Sequence, residues 1–437
     1  MFSLGIDIGT SKIAIAVVDV NSKITTYVDS KAHDANIHIK PGFSEQSVDK
    51  IFETTDNLIS NIPIEIKQKI GYIGITGQMH GVVVSRKNNK TDNLINWEDR
   101  RGSVTGKLKL INAIKGCEKL KDGFGMTTLA QLDLSDAEHC ATIHDLYASY
   151  LTGLRSVTDP TDAASWGLFD IFTNKWNEEA IKSLNIPQNI LPEVVKCGSF
   201  VGKIKPDIAE KFDLNKDVEV YAALGDNQAS ISGTSLERDQ DIYITIGTGM
   251  QLSLIANNEI AKELINSNKI EVRPFLKGQF LAVSAPLLGG EAWKSLALFV
   301  DGLIENVTGT KMNIDDVYKK IDELGLAEFD SDDLPDFEPY FIGERWDTSL
   351  RGVLSNLTLS NFKIGKISAA LAKGIAKTLR GDITQEMLAS KSRIVASGNA
   401  LRKSKLLTLA ITKEFEKEVI FSEAKEEAAR GAAIFFL

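Results

Sequence analysis

An aspartate stands inside an apolar, strand-like segment near the start of the chain. Residues 4–19 alternate apolar side chains with small or polar ones, a period of two that is typical of β-strands. Asp7 interrupts this pattern just before the turn Gly9-Thr10-Ser11. A carboxylate buried in a strand is destabilising unless it is paired or faces a polar site. Two interpretations stay open on these residues alone: a carboxylate that caps the turn, or one that binds a metal ion on phosphates held by turn amides.

A second segment repeats this plan about half a chain later. Residues 241–257 again contain an apolar strand, a turn at 247–249 and a second apolar strand. Alignment of the shared Ile-Gly-Thr places Thr245 opposite Asp7. The repeat predicts a duplicated protein whose two hairpin turns hold one polyphosphate, with metal binding left to the half that kept the acid.

Another aspartate follows an apolar strand near the middle of the chain. The segment 218–224 is strand-like, Gly225 ends it, and Asp226 and Asn227 come next. In α/β proteins, ligands bind in the crevice beyond the carboxyl ends of such strands. Asp226 is therefore suited to accept the proton of an attacking hydroxyl in phosphoryl transfer, or to cap the following helix. One side chain can fulfil both roles.

The composition limits the classes of function. With 437 residues the chain is too long for one ordinary hydrophobic core, so two large domains are expected. Its net charge of −9 argues against nucleic-acid and membrane-surface partners, which select basic patches. The three cysteines lie far apart, the histidines lack metal-binding spacing, and neither a targeting pattern nor a membrane-length apolar run is present. We therefore expect a cytoplasmic protein with small-molecule partners.

Eight short segments, taken in order, resemble the FGGY carbohydrate kinases, and the resemblance runs from residue 2 to about residue 436. The segments are GIDIGTS, ITGQMHGVVV, NWEDRR, DPTDAASWGLFD, ALGDNQAS, ITIGTGMQLS, IGERW and ASGNALRKSKLL. The resemblance implies an α/β, two-domain ribonuclease H-like or actin-like ATPase fold, with duplicated mixed sheets and with ATP and sugar in the interdomain cleft. It implies a sugar-binding domain over residues 1–237, carrying the catalytic aspartate, and a nucleotide-binding domain over residues 238–437.

The resemblance also implies which residues contact the sugar. The segment 78–80 interrupts a strand with hydrogen-bonding side chains, although a β-bulge around a core histidine would give the same pattern. The segment 97–101 offers an indole and a carboxylate for sugar C–H faces and hydroxyls, although it also fits an exposed charged turn. Glu98 stands where the family usually has an amide, and Trp166, in a segment that lines the site wall in the family, is more typical of a core. The sugar-contacting set is Gln78, Met79, His80, Trp97, Asp99, Asp226 and Asn227, with Asp226 as the catalytic base.

The nucleotide and metal contacts follow in the same way. The resemblance implies ATP and Mg²⁺ as cofactors, with Asp7 holding the metal ion. Ser397 precedes Gly398 where the family usually has glycine, and a glycine turn that opens a helix is also an ordinary strand–helix connection. The nucleotide-contacting set is Gly9, Thr10, Ser11, Gly247, Thr248, Gly249, Gly290, Gly398 and Asn399.

The implied reaction is ATP-dependent phosphorylation of a ketose at a primary hydroxyl. Sedoheptulose is the leading substrate, with xylulose, another ketose or a polyol as the alternative within the family. A non-metabolic ATPase of the actin and heat-shock superfamily is the alternative from another class. A homodimer is the expected assembly.

Sequence periodicity also predicts the elements that carry these residues. Residues 104–155 and 360–388 have a mainly helical pattern, and the acidic stretch 331–346 predicts a loop. Ser422 fits the N-cap of a last helix that extends to Phe436.

Overall fold

The computed structural model describes residues 1–234 and 238–437, and the chain divides into two compact units. Unit 1 comprises Met1–Leu236, Pro274–Gly278 and Ala424–Leu437; unit 2 comprises Glu237–Arg273 and Gln279–Glu423. The boundary predicted at 237/238 touches the stretch 235–237, outside the described residues. The C-terminal segment, which the sequence-based division gave to the second domain, groups with unit 1.

The longest strands are those of the two central hairpins together with β3 and β6. Their bounds are β1 Phe2–Ile8, β2 Lys12–Asp19, β3 Thr25–Ala32, β4 Asn36–Ile37, β5 Glu45–Gln46, β6 Ile70–Gly77, β7 Val83–Arg86, β8 Lys90–Thr91, β9 Leu94–Ile95, β10 Ala137–Ala141, β11 Val157–Thr158, β12 Phe169–Asp170, β13 Lys175–Trp176, β14 Glu193–Val194, β15 Phe200–Lys203, β16 Glu219–Tyr221, β17 Leu224–Gly225, β18 Asp241–Ile246, β19 Met250–Ala256, β20 Ile270–Pro274, β21 Phe280–Ser284, β22 Asp336–Glu338, β23 Val353–Ser355, β24 Arg393–Ser397 and β25 Glu418–Phe421.

The helices are longest in unit 2. Their bounds are α1 Val48–Ser60, α2 Ile64–Lys67, α3 Arg101–Val104, α4 Lys107–Asn112, α5 Gly125–Leu129, α6 Ile143–Thr152, α7 Pro160–Ser165, α8 Glu178–Ser183, α9 Pro206–Phe212, α10 Asp226–Thr234, α11 Asn258–Leu264, α12 Gly290–Thr308, α13 Ile314–Glu328, α14 Ile364–Arg380, α15 Gln385–Leu388, α16 Asn399–Lys403, α17 Lys405–Phe415 and α18 Glu427–Ile434.

Unit 1 is organised around a mixed sheet with the order β15-β16-β6-β1-β2-β3, and β17 also pairs with β6. Strand β1 is antiparallel to β2 and parallel to β6. The interior of β2 is buried along its whole length, as expected for a strand covered on both faces. Helix α18 packs so closely on this sheet that a Cβ atom at Gly5 would lie 1.8 Å from the carbonyl oxygen of Ala429. This contact explains why the C-terminal helix belongs to unit 1.

Unit 2 contains a second mixed sheet with the order β20-β21-β19-β18-β24-β25. Its central hairpin β18–β19 is antiparallel, and β18 is parallel to β24 on its other side. This is the arrangement of β1, β2 and β6 in unit 1. The predicted duplicated mixed sheets are therefore confirmed.

Several element predictions were wrong. Within 104–155 the helices are short, and strand β10 interrupts them, pairing with β7. The predicted strand 218–224 is broken into β16 and β17. The predicted loop 331–346 contains β22, and the predicted last helix begins at Glu427 instead of near Ser422.

Two further observations concern the chain as a whole. None of the helices in the described ranges has the length and apolar character needed to cross a membrane. The three cysteines, Cys117, Cys140 and Cys197, are unpaired thiols.

Candidate active site

Three neighbouring strands of unit 1 end at the same edge of the sheet and carry both key aspartates there. Asp7 on β1 lies opposite Thr76 on β6, and Thr76 lies opposite Leu224 on β17. Asp226 follows two residues later as the first residue of α10. Because the three strands are parallel, their carboxyl ends form the edge where α/β folds bind ligands.

The carboxyl group of Asp7 has an unusual electrostatic environment. Burial is the main cause that raises its pKa to about 7; the charges of Asp226 and Glu426 act in the same direction, and Lys12 opposes them. The Nζ atom of Lys12 lies 2.8 Å from both carboxylate oxygens of Glu426. The Oδ1 atom of Asp7 is buried and accepts no hydrogen bond within the described parts of the chain.

These features fit a cation at Asp7, since a positive charge would satisfy the unpartnered oxygen and stabilise the ionised carboxylate. Across residues 1–234 and 238–437, no cluster of three or more His, Cys, Asp or Glu side chains could hold a metal ion. An ion at Asp7 would therefore take its remaining ligands from phosphate oxygens and water, as Mg²⁺ commonly does.

Replacement of Asp7 by Asn is expected to stabilise the metal-free protein in a pH-dependent way. The carboxyl titrates near its ordinary value of 3.8 when unfolded and near 7 when folded. The folded state thus binds the extra proton between these values, and wild-type stability falls as pH rises through this window. The variant should gain at most about 4 kcal/mol over wild type at pH 8 and only about 0.5 kcal/mol at pH 4. Urea unfolding at both pH values measures this gain, and an equal gain at both would contradict the raised pKa.

The turn after β1 is fixed by donors to its carbonyl groups. Gln46 Nε2 donates to the Thr10 oxygen at 2.7 Å. The Gly9 oxygen lies 3.4 Å from Gln78 Nε2 and 3.3 Å from His33 Nε2. With its carbonyl groups engaged in this way, the turn would meet an anion with its amide N–H groups.

The segment 78–80 is only partly accessible. The Gln78 side chain is 2% exposed, and Met79 is also buried against Gly225. His80 has a positive φ of 73°, its ring stacks on Phe124, and its Nδ1 atom lies 2.7 Å from the Ser165 carbonyl oxygen. Because a carbonyl oxygen only accepts, Nδ1 carries a proton. In the neutral ring, Nε2 is then the acceptor.

Trp97 and Asp99 differ in their surroundings. The Trp97 side chain is 40% exposed, and its Nε1 atom donates to Thr10 Oγ1 at 2.8 Å. Asp99 is 1% exposed: its Oδ1 accepts from the Arg101 N–H and Nε, and its Oδ2 from the Ser44 N–H and Arg101 Nη2. Trp97 thus links the predicted sugar segment to the turn. Asp99, by contrast, is engaged chiefly within the protein.

Trp166 occupies the core rather than an exposed wall. Its side chain is 1% exposed, and its Nε1 atom donates to the Gly81 carbonyl oxygen at 3.1 Å.

A buried acid–histidine pair was missed in the sequence. His144 Nε2 lies 2.8 Å from Asp162 Oδ2, with both side chains wholly buried. Burial lowers the pKa of His144; burial and the charges of Asp159 and Asp226 raise the pKa of Asp162. Both shifts act in the direction of the neutral forms of the two side chains. No spacing rule connects these residues, which are 18 positions apart.

In unit 2 the candidate nucleotide glycines converge on the end of β18. The Gly290 N–H donates to the Gly247 oxygen at 2.8 Å, and a Cβ atom at Gly290 would lie 2.2 Å from that oxygen. The Gly289 N–H donates to the Thr248 oxygen at 3.1 Å. Gly398 has a positive φ of 93°, and a Cβ atom there would lie 2.4 Å from the Ile246 oxygen. These close backbone approaches require glycine at 290 and 398.

Two further contacts brace this region. Thr245 Oγ1 lies 2.6 Å from Ser397 Oγ. At the position aligned with Asp7, unit 2 therefore has a hydrogen bond between two hydroxyl groups instead of a carboxylate. The buried carboxylate of Glu344 accepts from the Leu287 N–H at 3.2 and 3.3 Å, which fixes the loop before α12. Glu344 belongs to the IGERW segment, which the sequence predicts only as part of the loop 331–346, without a role for this residue. Asn399, the last residue of the candidate set, is the first residue of α16.

Comparisons with known proteins agree with this architecture. The model of the FGGY family of carbohydrate kinases, N-terminal domain, matches residues 2–123 and 130–233. Sedoheptulokinase of Homo sapiens is 26% identical over 474 residues, covering 100% of this chain and 97% of that protein. Xylulose kinase of Lactococcus lactis subsp. lactis is 26% identical over 464 residues, covering 99% of this chain and 87% of that protein.

A solved structure supports the same fold. The crystal structure of xylulose kinase from Rhodospirillum rubrum has a TM-score of 0.81 at 18% identity, covering 99% of this chain and 89% of that one. The mixed α/β sheets are those of the predicted actin-like ATPase fold. Because the family model spans more than half of its length, the chain belongs to the FGGY family of carbohydrate kinases, enzymes that transfer phosphate from ATP to a sugar.

Proposed function

We propose that this kinase phosphorylates a ketose at a primary hydroxyl, with the conversion of sedoheptulose to sedoheptulose 7-phosphate as the leading reaction. The observation that carries the proposal is that Asp7 and Asp226 lie at the same edge of the sheet, at the ends of two strands that both pair with β6. In the proposal Asp7 is the cation ligand and Asp226 is the proton acceptor. Relatives named sedoheptulokinase, at 26% and 25% identity, support the choice of sugar.

Asp226 acts as the general base in this proposal. It accepts the proton of the sugar hydroxyl as the oxygen attacks the γ-phosphorus, and it orients that oxygen. It is the first residue of α10, and the N-terminal end of a helix stabilises negative charge. Asn227, next in the helix, would contribute a polar contact to the sugar.

The phosphates are assigned to backbone turns. Gly9, Thr10 and Ser11 in unit 1, and the turn 247–249 in unit 2, supply amide donors, while Gly290, Gly398 and Asn399 contact the nucleoside. Asp7 would hold Mg²⁺, which when bound neutralises phosphate charge and polarises the transferred group. Loss of the Asp7 carboxylate should therefore raise the Mg²⁺ concentration that activity requires.

The contacts with the sugar are assigned to His80, Trp97 and Asp99, and Gln78 and Met79 are assigned to the layer behind these side chains. The exposed indole of Trp97 can pack on C–H faces, and the imidazole of His80 adds a polar ring to the site. A sugar hydroxyl at Asp99 would share oxygens that already accept from Arg101 and Ser44.

The experiment is a coupled ADP-release assay over seven-carbon and five-carbon ketoses, glycerol and gluconate. We expect sedoheptulose to give the highest kcat/KM, because a site built on hydrogen bonds to particular hydroxyls rejects analogues that lack them. The matched control is the same assay without sugar, which measures ATP hydrolysis alone.

The result also separates the alternatives. A preference for xylulose by about tenfold or more, a difference of about 1.4 kcal/mol, would replace sedoheptulose and leave the kinase assignment standing. Relatives named xylulose kinase favour this second candidate. ADP release that no sugar stimulates would instead favour a non-metabolic ATPase. A homodimer and a cytoplasmic location stay predictions.

A further inference from the structure

The short strand β5 lies between the candidate sugar segments and the candidate phosphate turn of unit 1. Its residue Gln46 is 0% exposed. The Nε2 group of Gln46 donates to the Thr10 oxygen at 2.7 Å and to Asn36 Oδ1 at 2.8 Å, and its Oε1 accepts from Gln78 Nε2 at 2.8 Å. One buried amide therefore joins the turn to the segment 78–80.

The orientation of this amide is determined by its neighbours. Both N–H donors point to oxygen atoms that accept, and the carbonyl oxygen receives an N–H donor. Rotation of the amide by 180° would place Oε1 against the Thr10 and Asn36 oxygens and Nε2 against the Gln78 donor. Gln46 therefore holds the Thr10 carbonyl group while its own carbonyl oxygen accepts from Gln78.

Glu45 of β5 and the preceding residue, Ser44, also contact the second sugar segment. The N–H of Ser44 donates to Asp99 Oδ2 at 2.8 Å, and Glu45 Oε1 accepts from Arg101 Nη2 at 2.9 Å. Residues 44–46 therefore contact both segments assigned to the sugar as well as the turn assigned to phosphate. Coupling between two sites requires such a contiguous set of packed and hydrogen-bonded groups.

We propose that Gln46 is a positioning residue that couples sugar binding to the geometry of the phosphate-binding turn 9–11. The inference deepens the proposed function and rests on it. In this proposal Gln46 contacts neither substrate, and its effect passes through Gln78 and the Thr10 carbonyl group. A sugar that orders the segments 78–80 and 97–101 would also order the turn, and the phosphates would then bind with a smaller loss of conformational entropy.

The test measures coupling between the two ligands by isothermal titration calorimetry. The probes are the magnesium complex of the non-hydrolysable ATP analogue adenylyl imidodiphosphate and the ketose that the ADP-release assay selects. In the wild type, saturating ketose should tighten analogue binding by about fivefold or more, and the analogue should tighten ketose binding by the same factor. In Gln46→Met, which keeps the side-chain length and loses the amide, the factor should fall below about twofold.

The matched control is Tyr147→Phe, which also removes a buried hydrogen bond in unit 1. The Tyr147 hydroxyl donates to Asp56 Oδ1 at 2.7 Å and contacts none of the candidate site residues named above. This variant should lose stability and keep the wild-type coupling factor. Equal loss of coupling in both variants would assign the effect to general destabilisation and overturn the proposal.

A second variant covers the case in which Gln46→Met does not fold. Gln46→Glu keeps an acceptor for Gln78 and removes the donors to Thr10 and Asn36, so coupling should again fall below about twofold. Unchanged coupling in either folded variant, no coupling in the wild type, or failure of both variants to fold while Tyr147→Phe folds would overturn the role of Gln46. Absence of any sugar-stimulated ADP release would overturn the proposed function instead.

Discussion

Replacement of Asp226 by Asn is expected to lower kcat by roughly two to four decades, the usual scale for loss of a positioned general base. Asn has nearly the same size and can occupy the first position of α10, but its amide does not accept a proton near neutral pH. The dissociation constants for ketose and MgATP should stay close to those of the wild type, because the backbone around the strand ends is unchanged. The effect should therefore appear in kcat rather than in binding.

The measurement combines steady-state kinetics at saturating ketose and MgATP with calorimetric binding constants and the melting temperature. Ser230→Ala, one turn further along α10, serves as the control and should retain wild-type kcat. A near-wild-type kcat for Asp226→Asn would limit Asp226 to a structural role at the helix start. The variant should also lower the pKa of Asp7, since the charge of Asp226 contributes to raising it.

The central hairpins were predictable because their signal is local. Ile6 and Ile8 alternate with Asp7, and the Ile-Gly-Thr turn recurs at 246–248 with the same flanking pattern. Both the strands and their duplication follow from a period of two and a repeated turn. The structure adds the parallel neighbours β6 and β24, which lie far from the hairpins in sequence.

The C-terminal segment shows where local reasoning fails. The pattern after Ser422 is compatible with a helix, but the Ser422 N–H donates to the Ala396 oxygen and so continues the pairing of β25 with β24. Glu426 then adopts a positive φ of 49°, and α18 starts only at Glu427. A tertiary contact with a residue 26 positions away thus overrode the local N-cap signal.

Gln46 could not be found from spacing for a related reason. Its partners Thr10, Asn36 and Gln78 lie 36, 10 and 32 positions away, in no regular period. The burial of the ion pair between Asp99 and Arg101 could not be predicted for another reason. The sequence DRR is typical of a solvated turn, whereas Arg101 is only 8% exposed. Site residues that act through buried polar contacts become visible only when the fold brings their partners together.

Replacement of Asp99 by Ala is expected to reduce both stability and ketose use. The variant removes the acceptor of the Arg101 guanidinium and leaves this buried cation with Glu45 as its remaining carboxylate partner. Loss of one partner of a buried pair costs about 3–5 kcal/mol of unfolding free energy when the remaining charge is left uncompensated. We expect a smaller loss here, because Glu45 still pairs with Arg101. If Asp99 also binds a sugar hydroxyl, the variant loses a charge-assisted hydrogen bond worth about 1.5–3 kcal/mol. The kcat/KM for the ketose should then fall by about ten- to a hundredfold.

Arg101→Met separates the two contributions, because it breaks the same ion pair and leaves the Asp99 carboxylate in place. Urea unfolding should show comparable losses for the two variants. The kcat/KM for sedoheptulose and xylulose should fall further in Asp99→Ala, and sugar-free ATP hydrolysis should fall less than ketose phosphorylation in both. Equal kinetic losses in the two variants would mean that Asp99 acts by holding Arg101 and the segment 44–46 in place. Unchanged stability together with unchanged kcat/KM would remove Asp99 from the sugar site altogether.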